Sequence, residues 1–280
     1  MATKQSHNAD VVTYVKDRIL GIPKLLNVDE CTTLINECEA KGFQPSPLSG
    51  GGHGRTGREG ARTSQFLVRD DADFANKLWK RVKNYVPDNL RGIKPVPYMN
   101  LTNPETRGDE YTPVAVNEHL RFYKYDPGQY ILKHDDYRMS RYRYDRENDQ
   151  YYQQMTFFTL LVYLNQDFEG GQTCFWTKYS TPEQEGPSHC RFIREIEFAE
   201  ADLKVSPATG NGLLQDHMVQ HEGEPPKARG GLSGIKYILR TDILHEKPVA
   251  ADRVNMKIKK GKVYSDWTRH YEPSCLHYTE

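Results

Sequence analysis

The sequence predicts a mainly β chain with flanking helices, an α+β arrangement around a sandwich or jelly roll. Three observations predict it. From residue 115 onward, short apolar or alternating runs are separated by Gly, Pro, Asn and Asp. Before that point, two segments carry helical spacing with capping signals at their starts. The chain has 280 residues, 37% hydrophobic and 27% charged, which is enough to bury a core without disulfides or zinc. We expect one elaborated domain over 1–280: a helix-and-strand support at 1–115, a β core at 116–250 and a C-terminal tail at 251–280.

Asn27 with Glu30 three places later is a capping-box start, Leu34, Ile35 and Cys38 recur at helical spacing, and Gly42 stands where a C′ glycine belongs. Asp70 or Asp71 caps a second helix whose stripe is Phe74, Leu78, Val82 and Tyr85, and Pro87 stops it. The segment 46–62 between them has five glycines from 50 to 57. It lacks GxxxxGK[ST] and no apolar strand leads into it, so it reads as a surface loop or active-site flap rather than a phosphate cradle. Candidate strands are 116–125, 130–134, 156–164, 173–176, 202–205, 212–215 and 235–244. Two charged inserts, 137–154 and 181–201, interrupt them and read as lids or disordered connections. Arg138, Arg141 and Arg143 in the first could pair with a substrate carboxylate but are read as solvated surface charge, and His270 and His277 in the tail as surface residues.

Composition narrows the function. Lys+Arg and Asp+Glu both number 38, so no basic footprint for nucleic acid is apparent. No apolar run reaches the ~18 residues of a membrane span, and the first twenty residues lack a secretory apolar core. Cys31, Cys38, Cys174, Cys190 and Cys275 are scattered without a CxxC pair, against a disulfide framework or thiolate zinc site. The expected compartment is the cytoplasm; the oligomeric state is not legible.

The chemistry begins in QYILKHDD. His134 and Asp136 are two residues apart, so on an extended chain they project to the same side and can reach one ion, while Asp135 points away. The segment GNGLLQDHMVQHEGEPP adds His217 and His221. Two imidazoles and one carboxylate make the facial triad of non-haem Fe(II) oxygenases, which leaves three octahedral positions open.

With these residues in place, LRFYKYDPGQYILKHDDYR, TFFTLLVYLNQDFEGGQTCFW, HEGEPP and KYILRTDIL, taken in order over about 116–246, resemble the Fe(II)- and 2-oxoglutarate-dependent dioxygenases of the prolyl 4-hydroxylase type. Weaker similarity runs upstream through ARTSQFLVRDDADFANKLWKRV. The resemblance implies a double-stranded β-helix as the catalytic core, with Fe(II), 2-oxoglutarate and O2 as cofactors and ascorbate as an accessory reductant. It implies His134, Asp136 and His221 as metal ligands, His221 being preferred to His217 because E-G follows it directly.

The resemblance also implies Lys236 as the partner of the distal carboxylate of 2-oxoglutarate, with Arg240 as runner-up because positions 236, 238 and 240 share one strand face. The stretch from His221 to Lys236 is longer than the family norm. Tyr125 and Thr159 are implied as further 2-oxoglutarate contacts. Retention of Asp136 favours hydroxylation over halogenation. The substrate is expected to be a peptide, prolyl residues included, or a free amino acid or other small metabolite. The competing reading is a jelly roll that binds a metal or ligand without catalysis.

Overall fold

The computed structural model describes residues 11–46, 62–87, 111–136, 138–179 and 199–250. The glycine-rich loop, nearly all of the insert 181–201 and the tail 251–280 lie outside them, so those expectations are left as they stand.

The support opens with a hairpin, β1 (Val12–Val15) and β2 (Ile19–Ile22). Helix α1 (Val28–Lys41) starts where Asn27 Oδ1 accepts the Glu30 N–H at 2.8 Å and the Glu30 carboxylate accepts the Asn27 N–H at 3.0 Å. Both are donors that a helix start would otherwise leave unsatisfied. The helix stops at Gly42, whose φ of 83° suits a residue without Cβ. Strands β3 (Gln44–Pro45) and β4 (Gln65–Asp70) precede α2 (Ala72–Val82), capped by Asp71. Leu34 and Cys38 of α1 and Ala75, Leu78 and Val82 of α2 are buried with Leu120, Phe122, Leu160, Val162 and Leu239 in one cluster, so both helices cover the outer face of the large sheet.

The β core follows: β5 (Thr112–Val116), β6 (His119–Tyr125), β7 (Ile131–His134), β8 (Ser140–Asp145), β9 (Gln150–Tyr163), β10 (Glu169–Gly170), β11 (Thr173–Phe175), β12 (Leu203–Val205), β13 (Gly212–Asp216), β14 (His221–Gly223), β15 (Pro226–Lys227) and β16 (Lys236–Val249). The large sheet runs β1-β2-β13-β9-β16-β6-β4-β3, with β5 on β16 and β8 on β9; the small sheet runs β12-β11-β14-β7. Eight strands define the architecture: β6, β7, β9, β11, β12, β13, β14 and β16. The first pairs with the last (β6 with β16), the second with the seventh (β7 with β14), the third with the sixth (β9 with β13) and the fourth with the fifth (β11 with β12), all antiparallel. That nested pairing across two sheets is a double-stranded β-helix, or jelly roll. Between the sheets lie Tyr123, Tyr125, Leu161, Tyr163, Phe175, Leu213 and Ile238.

Two expectations change. The strand expected at 116–125 is two strands, because Asn117 breaks the run: its N–H bonds the Asp242 carbonyl at 2.8 Å while its Oδ1 accepts the His119 N–H at 3.2 Å. The insert 137–154 is largely a hairpin. In SRYRYD the side chains alternate with period two, and β8 pairs residue for residue with β9 from Ser140–Met155 to Asp145–Gln150. Its arginines are not solvated charges. Arg141 pairs with Glu118 at 2.9 Å, Arg143 with Glu246 at 3.0 Å, and buried Arg138 lies over the Phe157 ring at 5.0 Å. Among the described residues, no helix is long and apolar enough to cross a membrane.

Candidate metal centre

Strand pairing builds the centre. His134 ends β7, His221 begins β14, and the register sets them directly opposite each other. Their rings are 4.3 Å apart between centroids. Asp136 follows β7 and is anchored by its N–H to the His217 carbonyl at 2.9 Å. One ligand atom from each of His134, Asp136 and His221 lies within 4.8 Å of the others, the only such group among the described residues. His134 Nε2 is 3.8 Å from Asp136 Oδ1, and His221 Nε2 is 3.7 Å from Oδ2.

Each imidazole is oriented by its own strand. His134 Nδ1 lies 2.7 Å from the Leu132 carbonyl and His221 Nδ1 2.9 Å from that of Val219. A carbonyl only accepts, so both Nδ1 atoms carry the proton and both Nε2 lone pairs point at the shared space. Burial, and then the neighbouring His221, pushes His134 down to about 3, so it is neutral through the physiological range.

The carboxylate is held on both oxygens. Arg240 Nη2 donates to Oδ1 at 2.6 Å, Thr159 Oγ1 to Oδ2 at 2.5 Å, and the Gln215 amide approaches Oδ2 at 3.4 Å. Burial alone would raise the Asp136 carboxyl, but the Arg240 guanidinium foremost holds it well below the usual range. A charged, oriented carboxylate beside two neutral imidazoles fits a divalent first-row metal ion with open positions.

Thr159, expected at the cosubstrate, therefore gives its hydroxyl to Asp136. Arg240 is likewise engaged at Asp136, on the level of the metal ligands. His217 is not part of the group: its fully buried ring faces Asp242, Nε2 3.4 Å from Oδ1. Lys236 stands opposite Tyr125 at the other end of the barrel, 3% exposed, its ammonium donating to the Gly171 carbonyl at 2.6 Å. Tyr125 and Tyr163 flank it, at 5.5 and 5.9 Å from their ring centroids. Burial pushes Lys236 down to about 8. Among the described residues no carboxylate pairs with it, which distinguishes it from Arg240. Gln215 was not legible as a site residue, because a glutamine in an apolar strand gives no signal until its neighbours are known. Its amide nitrogen is 2.9 Å from His221 Nε2, and its Oε1 is buried without a partner.

Strand order and donor set together make this a double-stranded β-helix with an intact two-histidine, one-carboxylate centre. No family model and no curated protein matches the sequence. Among solved structures, the chain is similar to a viral collagen prolyl hydroxylase from Paramecium Bursaria Chlorella virus-1 in complex with 2-oxoglutarate, at 18% identity and TM-score 0.42, over 81% of this chain and 96% of that one. A Pseudomonas putida prolyl-4-hydroxylase is 14% identical, with TM-score 0.43 over 81% and 91%. HygX from Streptomyces hygroscopicus with nickel and 2-oxoglutarate bound is 12% identical, with TM-score 0.44 over 82% of each chain.

Proposed function

We propose that the protein is an Fe(II)- and 2-oxoglutarate-dependent hydroxylase acting on an aliphatic C–H bond of a peptide, prolyl residues included, or of a free amino acid or other small metabolite. The observation that carries this reading is the convergence of His134 Nε2, His221 Nε2 and a doubly anchored Asp136 carboxylate on one point inside the barrel. Fe(II) held there would supply oxidative decarboxylation of 2-oxoglutarate to succinate and CO2, coupled to transfer of one oxygen atom of O2 to the substrate.

The chain's own residues bind, orient and exclude water. His134, Asp136 and His221 fix one face of the ion. Lys236, buried and without a carboxylate partner among the described residues, receives the distal carboxylate of the diacid beside Tyr125, since a buried cation without an anion is costly. The apolar lining of Leu161, Phe175, Leu213 and Val219 keeps the space dry. Ascorbate serves as an accessory reductant in this reading.

The test is untargeted mass spectrometry after incubating iron-loaded protein and 2-oxoglutarate with a pool of peptides and a pool of metabolites, with Asp136→Ala as control. An oxygen gained in one pool, with succinate, identifies the substrate class. Succinate at the Asp136→Ala level in both pools would turn the assignment to a non-catalytic metal-binding jelly roll.

A further inference from the structure

We propose that Arg62, seated on Tyr123, is a second carboxylate-binding residue that takes the keto-end carboxylate of the 2-oxo acid, separate from Lys236. This rests on the function proposed above.

Arg62 enters from the side of the barrel, its backbone bridging Ile131 of β7, three residues before His134 on the side toward Lys236. Its guanidinium lies 4.6 Å from the centroid of the Tyr123 ring, and its Nε is buried without a hydrogen-bond partner. Tyr123 is 6% exposed and stands opposite Ile238. On the inner face of β6 and β16 the successive rungs are therefore Tyr125 with Lys236, Tyr123 with Ile238, and Arg121 with Arg240. Two residues advance a strand by about 6.6 Å, so Lys236 and Arg240 are roughly 13 Å apart along β16 and Tyr123 marks the middle. Arg62 thus occupies the stretch between Lys236 and the metal ligands, the space that a chelating five-carbon diacid must fill.

Charge points the same way. Arg121 and Arg240 are bonded to carboxylates of this chain, Asp242 and Asp136. Arg62 has no carboxylate partner among the described residues. A guanidinium in a buried setting is compensated best by a planar carboxylate that can take two parallel N–H bonds. Burial would raise the Tyr123 phenol, yet Arg62, and then Arg121 and Arg240, bring it down to about 8.

Calorimetric titration of the nickel-loaded full-length protein separates the possibilities, with three probes. They are 2-oxoglutarate, 2-oxobutyrate (keto-end carboxylate only) and glutarate (two carboxylates, no keto group). We expect Arg62→Gln to weaken 2-oxoglutarate and 2-oxobutyrate by the same factor, at least tenfold, and Arg62→Lys to weaken both less. Lys236→Met should weaken 2-oxoglutarate and leave 2-oxobutyrate unchanged, with glutarate binding poorly throughout. Unchanged nickel stoichiometry and melting temperature in the Arg62 variants exclude a folding effect. Retention of both oxo acids within twofold in Arg62→Gln overturns the proposal, and selective loss of 2-oxoglutarate overturns it by assigning Arg62 to the distal carboxylate. Wild-type protein that binds nickel but neither oxo acid would instead sink the functional reading itself.

Discussion

Asp136 shows how much of a metal site is made by residues that never touch the metal. Three donors from three strands converge on its two oxygens: Thr159 from β9, Gln215 from β13 and Arg240 from β16. Outer partners of this kind typically tune metal affinity by 10- to 100-fold. Thr159→Val keeps shape and loses the hydroxyl, so Co(II) titration should show affinity falling by about tenfold while the melting temperature of the metal-free protein changes little. On the proposed function, Lys236 gives a pH prediction. Its burial-lowered value of about 8 means that it is charged below that pH and loses its proton above it. Affinity for 2-oxoglutarate should therefore be flat from pH 6.5 to 7.5 and decline as pH rises past about 8. Lys236→Arg should remove the decline, because guanidinium does not titrate there. The HxD pair was legible because two residues on an extended chain share a side. The donors to Asp136 were not, because their convergence depends on the register of β9, β13 and β16, which no local pattern encodes.

Elements that could be read in the sequence are those fixed by near neighbours. The start of α1 at Asn27 and Glu30 and its stop at Gly42 are local hydrogen bonds and one backbone angle. The split of 116–125 into β5 and β6 was hidden, because Asn117 breaks the run through a partner 125 positions away, Asp242. The hairpin of β8 and β9 was hidden for another reason: charge suggested solvent, whereas Glu118 and Glu246 across the sheet neutralise its arginines. Glu30 does more than cap. It also ties α1 to α2 through Arg81, at 2.9 and 2.8 Å, and through Lys77 at 2.6 Å. The Arg81 bond foremost lowers the Glu30 carboxyl, so its contribution is present above the unfolded value near 4.3 and is lost as pH falls through the lower folded value. Glu30→Gln should destabilise the protein by about 1 kcal/mol at pH 7 in urea melts, and the difference from wild type should shrink below pH 4.

On the scale of the whole molecule, the two faces of the large sheet divide the work. Leu160 and Leu239 point outward into the helices, while Leu161 and Ile238 point inward with the tyrosines toward the site. Leu160→Ala, at a position with no exposure, should cost about 2–5 kcal/mol in a denaturant melt, yet leave metal stoichiometry intact in the folded fraction. The nested pairing has a further consequence in time. The last of the described strands to leave a ribosome, β16, lies in the middle of the large sheet between β9 and β6. At roughly 5–20 residues per second, about 110 residues must be synthesised after Tyr125 before Lys236 can meet it. Until then β6 and β9 each present an open edge with no neighbour on that side. The nascent chain therefore passes through a stage in which it is most exposed to sticking to other chains, and that stage ends only when 236–249 emerges and closes the sheet.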